Sequence, residues 1–206
     1  MGAGASTDRG NRKLARLLTE VRACRVCADQ LPLGTNPVLR AHVDARILIV
    51  GQAPGTRVHE TGIPWNDPSG DRLREWMSVE RDAFYDERRF AIIPMGYCYP
   101  GRGASGDLPP RRECAELWLP RLLAEMPNIE LTLLIGQYAQ AHYLSPERRS
   151  GVAETVQQWQ SYLPEFLPLP HPSPRNIGWF RRHPWFETRV VPALQTRLRQ
   201  IYTDLN

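Results

Sequence analysis

Apolar residues in this chain fall into two patterns, short unbroken runs and longer stretches at helical spacing, and the two alternate. The unbroken runs are "RILIVG" (46–51), "RFAIIPMGYC" (89–98), "IELTLLIG" (129–136) and "FLPLP" (166–170). Runs without polar alternation suit strands covered on both faces, and so a parallel sheet. Leu14, Leu17, Leu18 and Val21 stand at helical spacing and predict a helix over 11–23. Further helices are expected at 68–77 with Ser69 as N-cap, at 112–125, at 137–144, and at 185–202 with an interruption at Pro192. The resulting βαβαβα order predicts an α/β fold, a three-layer αβα sandwich around a central, mainly parallel four-stranded sheet. With 206 residues, 42% of them hydrophobic, and no compositional break or repeat, one domain over 1–206 is expected, its first ten residues flexible.

In open parallel sheets ligands bind beyond the carboxyl ends of the strands. A suggestive turn follows each run here: "GQAPG" after the first, "GYC" after the second, "GQYAQ" after the third, "HPSPRN" after the last. These turns are expected to meet in one cleft. The charge balance, 26 basic against 22 acidic residues, is too even to name a partner. Its kind says more, since Lys13 is the single lysine and nearly every cation is a guanidinium suited to phosphate. No apolar stretch is long enough to span a membrane, and the start "MGAGASTDRGNRK" has no apolar core of a signal peptide. A cytoplasmic protein, nucleoid-associated when acting, is expected. In that compartment disulfides are rare, so Cys24 and Cys27 of "CRVC", with Cys98 and Cys114, suggest a four-thiolate site for a 4Fe-4S cluster or for zinc.

Taken together, "CRVC", "GQAPG", "TGIPW", the pair Cys98 and Cys114 with fifteen residues between them, and "HPS" resemble, in order, the motifs of the iron-sulfur (family 4-like) branch of the uracil-DNA glycosylase superfamily. The longer "HPSPRN" is similar to a motif of the single-strand-selective uracil glycosylases. The resemblance spans about Cys24 to Asn176. It implies a 4Fe-4S cluster on Cys24, Cys27, Cys98 and Cys114, and hydrolysis of an N-glycosidic bond in DNA whose target base is flipped out, by a monomeric enzyme. His171 would then donate a hydrogen bond to the departing base. Trp65 would stack on that base. Gly51, Ala53, Pro54 and Gly55 would bring backbone close to the ligand, and Ser69 and Gly70 would meet a phosphate at a helix start. Ser173, Arg175 and Asn176 would lie at the DNA, and Arg102, Arg111 and Arg112 on the loop after Cys98 would meet phosphates.

Two positions depart from the branch. Gln52 stands where it commonly carries Glu, so Gln52 is expected only to position water, with His59, Glu60 and Asp67 as candidates for the missing base. Pro94 stands where the branch usually carries Asn, which leaves base recognition to backbone groups, to Asn66 or to another residue. A damaged-DNA-binding module without catalysis is the rival expectation, and a zinc-stabilised nucleotide-binding protein a third.

Overall fold

In the computed structural model, which describes residues 3–104, 106–145 and 151–203, the first apolar run becomes β1 (Ile47–Val50), buried along its whole length. Around it stand β2 (Phe90–Ile92), β5 (Leu131–Ile135) and β6 (Phe166–Leu169), in the spatial order β2-β1-β5-β6 and parallel throughout. Leu48 pairs with Ala91 on one side and Thr132 on the other, and Leu133 pairs with Leu167. Side chains alternate across the pleat, so each strand feeds two cores. Leu48, Val50, Ala91, Ile93 and Leu134 pack under α1 (Ala3–Arg22), α5 (Arg112–Ala124) and α6 (Gln137–Tyr143). Ile47, Ile49, Phe90, Leu133 and Leu167 pack on the other face against α3 (Pro68–Met77) and α9 (Val191–Ile201). This is the three-layer α/β architecture that the unbroken apolar runs predict.

The differences lie where local pattern is weak. The helix expected from residue 11 is already formed at Ala3, so the stretch expected to be a flexible lead is helical from there; residues 1 and 2 lie outside the described residues. The cap of α3 is Asp67, whose Oδ1 accepts the Gly70 N–H at 2.8 Å, while Ser69 lies inside the helix behind Pro68. Proline at the first helical position leaves the cap to the residue before it. The expected break at Pro192 takes the form of a π-helical turn over Phe186–Val190, with Pro192 in the first turn of α9. Widening that turn accommodates a ring that lacks an N–H and crowds the carbonyl one turn back.

Short elements that sequence periodicity does not reveal complete the chain: α2 (Thr56–Thr61), α4 (Arg81–Phe84), α7 (Val152–Gln157), α8 (Ile177–Arg182) and an antiparallel hairpin of β3 (Arg102–Gly103) and β4 (Gly106–Asp107). Among the described residues no helix is long and apolar enough to cross a membrane.

Candidate active site

The strand order reverses direction between β1 and β5, and a crevice opens where neighbouring strand ends send their connections to opposite sides. A cleft of about 760 Å³ lies there. Its walls are the turn Gly51–Gly55 after β1, Pro94 after β2, Gly136, Gln137 and Tyr138 after β5, and Pro170 to Asn176 after β6. Trp65, Asp67 and Ser69 close one side, and Gly106 and Asp107 of the hairpin reach in from above the turn.

The β1 turn is fixed by backbone pairing, with Met95 N–H donating to the Gly51 carbonyl and Gly96 N–H to that of Gln52, each at 2.9 Å. Gly51 is required by Trp65, because a Cβ at 51 would stand 2.9 Å from the indole Cζ2. Trp65 itself adopts φ 56°, a left-handed backbone unfavourable to a bulky side chain. Two contacts hold it there. Arg74 donates to its carbonyl at 3.3 Å, and Gly70 lies so close that a Cβ would come within 1.8 Å of that oxygen. Gly70 thus serves packing and does not line the cleft, contrary to the phosphate role expected of it; Ser69 does line it. The indole faces His171 with ring centroids 5.7 Å apart.

His171 stands at the end of β6 with its imidazole oriented by its own loop. Its Nδ1 accepts the Ser173 N–H at 3.2 Å. A ring nitrogen that accepts a backbone N–H carries no proton, so the neutral ring holds its proton on Nε2. Burial keeps the imidazole below its ordinary pKa, opposed by the nearby carboxylates of Asp67 and Asp107. The site therefore presents a neutral N–H donor at neutral pH. Ser173 Oγ accepts from the Arg175 N–H, and Arg72 of α3 reaches the Pro172 and Ser173 carbonyls at 3.4 Å. Asn176 lines the cleft and uses its amide to donate to the His171 carbonyl at 2.8 Å, so it also braces the loop. Arg175 is exposed and points toward Gly106.

Other expected residues fall outside the cleft. Val58 of α2 lines it, and His59 and Glu60 do not, because each step along a helix turns the side chain by about 100°. His59 faces Tyr99 with centroids 6.3 Å apart, and Glu60 is exposed. Asn66 accepts from Arg81 at 3.0 Å and leaves the cleft to its neighbours. Gln52 lines the cleft, but its Nε2 donates to the Leu108 carbonyl at 2.9 Å. Asp107, Gln137 and Tyr138 line the cleft as well; the sequence marks the last two only as part of the turn "GQYAQ", and nothing local marks Asp107.

Cys24, Cys27, Cys98 and Cys114 are free thiols around one small cavity whose remaining wall includes Leu31, Tyr97 and Trp118. Burial raises the thiol pKa of Cys98, and that of Cys114 to about 12. Backbone N–H groups of Asn36 and Tyr97 donate to these two sulfurs and oppose that rise. Arg111, expected at phosphate, pairs with Glu113 and donates to Cys27, so it belongs to this cavity. The donor set is thiol alone in an apolar setting, the donor type that soft metals take. Among the described residues no group of three or more His, Cys, Asp or Glu side chains is arranged to hold a metal ion.

The cleft at the carboxyl edge thus sets a neutral imidazole donor beside an aromatic wall. The family model of the uracil DNA glycosylase superfamily matches residues 39–195, which covers all four sheet strands and every cleft residue named above. The chain belongs to the uracil-DNA glycosylase superfamily, and DNA is the substrate its fold implies.

Proposed function

We propose that this protein is a monofunctional DNA glycosylase that hydrolyses the N-glycosidic bond of uracil or a related deaminated base. The observation that carries the reading is the neutral His171, whose Nδ1 is engaged by Ser173 so that Nε2–H is the free donor. As the glycosidic bond lengthens, negative charge gathers on the base oxygen beside it, and a preoriented N–H stabilises that charge without reorganising. A neutral donor is also the better choice here, since burying an imidazolium in this site is unfavourable. Trp65 offers its face to the extruded base, and Arg175, Arg102 and Arg112, all exposed, are available to phosphates. Pro94 in the wall carries no amide, so the base edge is left to Gln137 and to backbone groups.

The four cysteines would hold a 4Fe-4S cluster, as the resemblance to the iron-sulfur branch implies, and its contribution would be structural, tying the segment after β2 to the end of α1. The thiol-only donors and the N–H and guanidinium groups directed at three of the sulfurs support this. A cluster gives the purified protein a broad visible absorption near about 400 nm that is lost with the iron; zinc leaves it colourless.

The glycosylase reading is tested by single-turnover base release from single-stranded and duplex oligonucleotides containing uracil, hypoxanthine or xanthine. Wild type should release at least one base, and His171→Ala should lose turnover with little loss of DNA binding. A second reading, a damaged-DNA-binding module, is favoured by the engagement of Gln52 with Leu108 and by Pro94. It requires tight binding with no base released from any substrate.

A further inference from the structure

The cleft contains two carboxylates, and they are not equivalent. Asp67 uses one oxygen to cap α3 through the Gly70 N–H. Asp107 lies on the two-residue strand β4, with no hydrogen bond or ion pair to its carboxylate among the described residues, and it lines the cleft beside the turn after β1. A Cβ built on Gly55 would stand 3.7 Å from its Oδ2. Its charge is felt at His171 across the cleft. The hairpin that bears it is anchored at both sides. Gln52 donates to the Leu108 carbonyl, Leu108 N–H donates to the Gly101 carbonyl, and Gly106 faces the Arg175 guanidinium. At the base of the hairpin, Gly101 lies tight against Pro32 and Leu108.

Resting on the glycosylase reading, we infer that Asp107 is the carboxylate that orients the attacking water and takes its proton, and that Gln52 is a positioning residue that holds the hairpin. The C1′–N bond breaks with its electron pair leaving on the base, while the sugar gains positive charge beside the Asp107 side chain. The water oxygen then bonds to C1′. Its proton passes to Asp107 and from there to solvent, and the base anion takes a proton from solvent in turn. The sum is one water consumed, one free base and one abasic sugar formed. Gln52 thus differs in role from an acid at the same position, since its amide N–H is used on Leu108.

The test is single-turnover release by the full chain on whichever of the uracil, hypoxanthine and xanthine oligonucleotides the wild type processes, with DNA affinity and thermal midpoint measured alongside. Asp107 is exposed, so Asp107→Asn should keep the fold and bind DNA within a few-fold. Its rate should fall by about 100-fold or more, the range a positioned base contributes. Formate should restore part of the rate of Asp107→Ala, which a packing role would not allow. Asp67→Asn, which retains a good cap, should fall less. Gln52→Glu should be slower than wild type because it replaces the donor to Leu108 with an acceptor, and adding it to Asp107→Asn should cost little more. An active wild type with Asp107→Asn at a similar rate overturns the inference and leaves the glycosylase reading standing. So does a larger loss for Asp67→Asn, or a faster Gln52→Glu. A wild type that releases no base overturns the glycosylase reading and this role with it.

Discussion

Replacing Gly70 by alanine sets two well-understood effects against each other. Gly70 lies in the first turn of α3, where helix propensity alone favours alanine by about 1 kcal/mol. The new methyl, however, would stand 1.8 Å from the Trp65 carbonyl oxygen and 2.6 Å from its carbon. The obstruction is backbone, and that backbone is already held in a left-handed conformation and tied to Arg74. Overpacking against atoms that cannot swing aside costs about 3 kcal/mol, the upper part of the usual range. Sterics therefore win by about 2 kcal/mol, which for a chain of this size lowers the melting midpoint by about 4–8 °C. Gly178 in α8 is the matched control, since a Cβ there meets nothing within 4 Å, and Gly178→Ala should raise the midpoint slightly. Thermal unfolding followed by circular dichroism reads both. A Gly70→Ala protein as stable as wild type would refute the claim that Trp65 is clamped by backbone contact. If the clamp is real, the variant should also bind uracil-containing DNA more weakly, because the indole must move relative to His171.

Asp67→Ala should cost about 1 kcal/mol through loss of the α3 cap, whereas Asp67→Asn should be nearly neutral; denaturation midpoints distinguish them. Because burial lowers the folded pKa of His171, the unfolded chain binds the extra proton first as pH falls. The stability this residue supports is complete above the ordinary histidine value of about 6.5 and is lost as pH drops below it toward the folded value. His171→Gln should flatten that part of the stability profile, and identical acid slopes would count against a buried neutral ring. Gln140, fully buried, donates to the carbonyls of Leu134 and Leu169 and so joins the ends of β5 and β6. Gln140→Leu should destabilise by about 1–3 kcal/mol in urea unfolding by leaving those carbonyls with fewer partners.

Much of the scaffold was legible because it depends on patterns a few residues long. An apolar run such as "RILIV" cannot face water on either side, so helices must cover both faces of its sheet. Strand-end turns rich in Gly and Pro then have one place to meet, and "GQAPG", "GQYAQ" and "HPSPRN" do line a common cleft, whereas "GYC", expected there too, turns Tyr97 and Cys98 into the cysteine cavity. His59 and Asn66 show the opposite case. Each is polar and near the right motif, but a helical rotation turns one away and an arginine fifteen residues on engages the other.

The sequence by itself determined the layers, the order of the elements and the edge of the sheet at which ligands bind, since hydrophobic periodicity and turn chemistry are local and survive without neighbours. Only the tertiary structure decided which polar groups face one another. Gln52 and Leu108 are 56 positions apart in the chain, and the hairpin that brings Asp107 beside Gly55 has strands of two residues, too short for any periodicity. The neutral state of His171 likewise comes from burial, which no side chain acquires until the chain has packed around it.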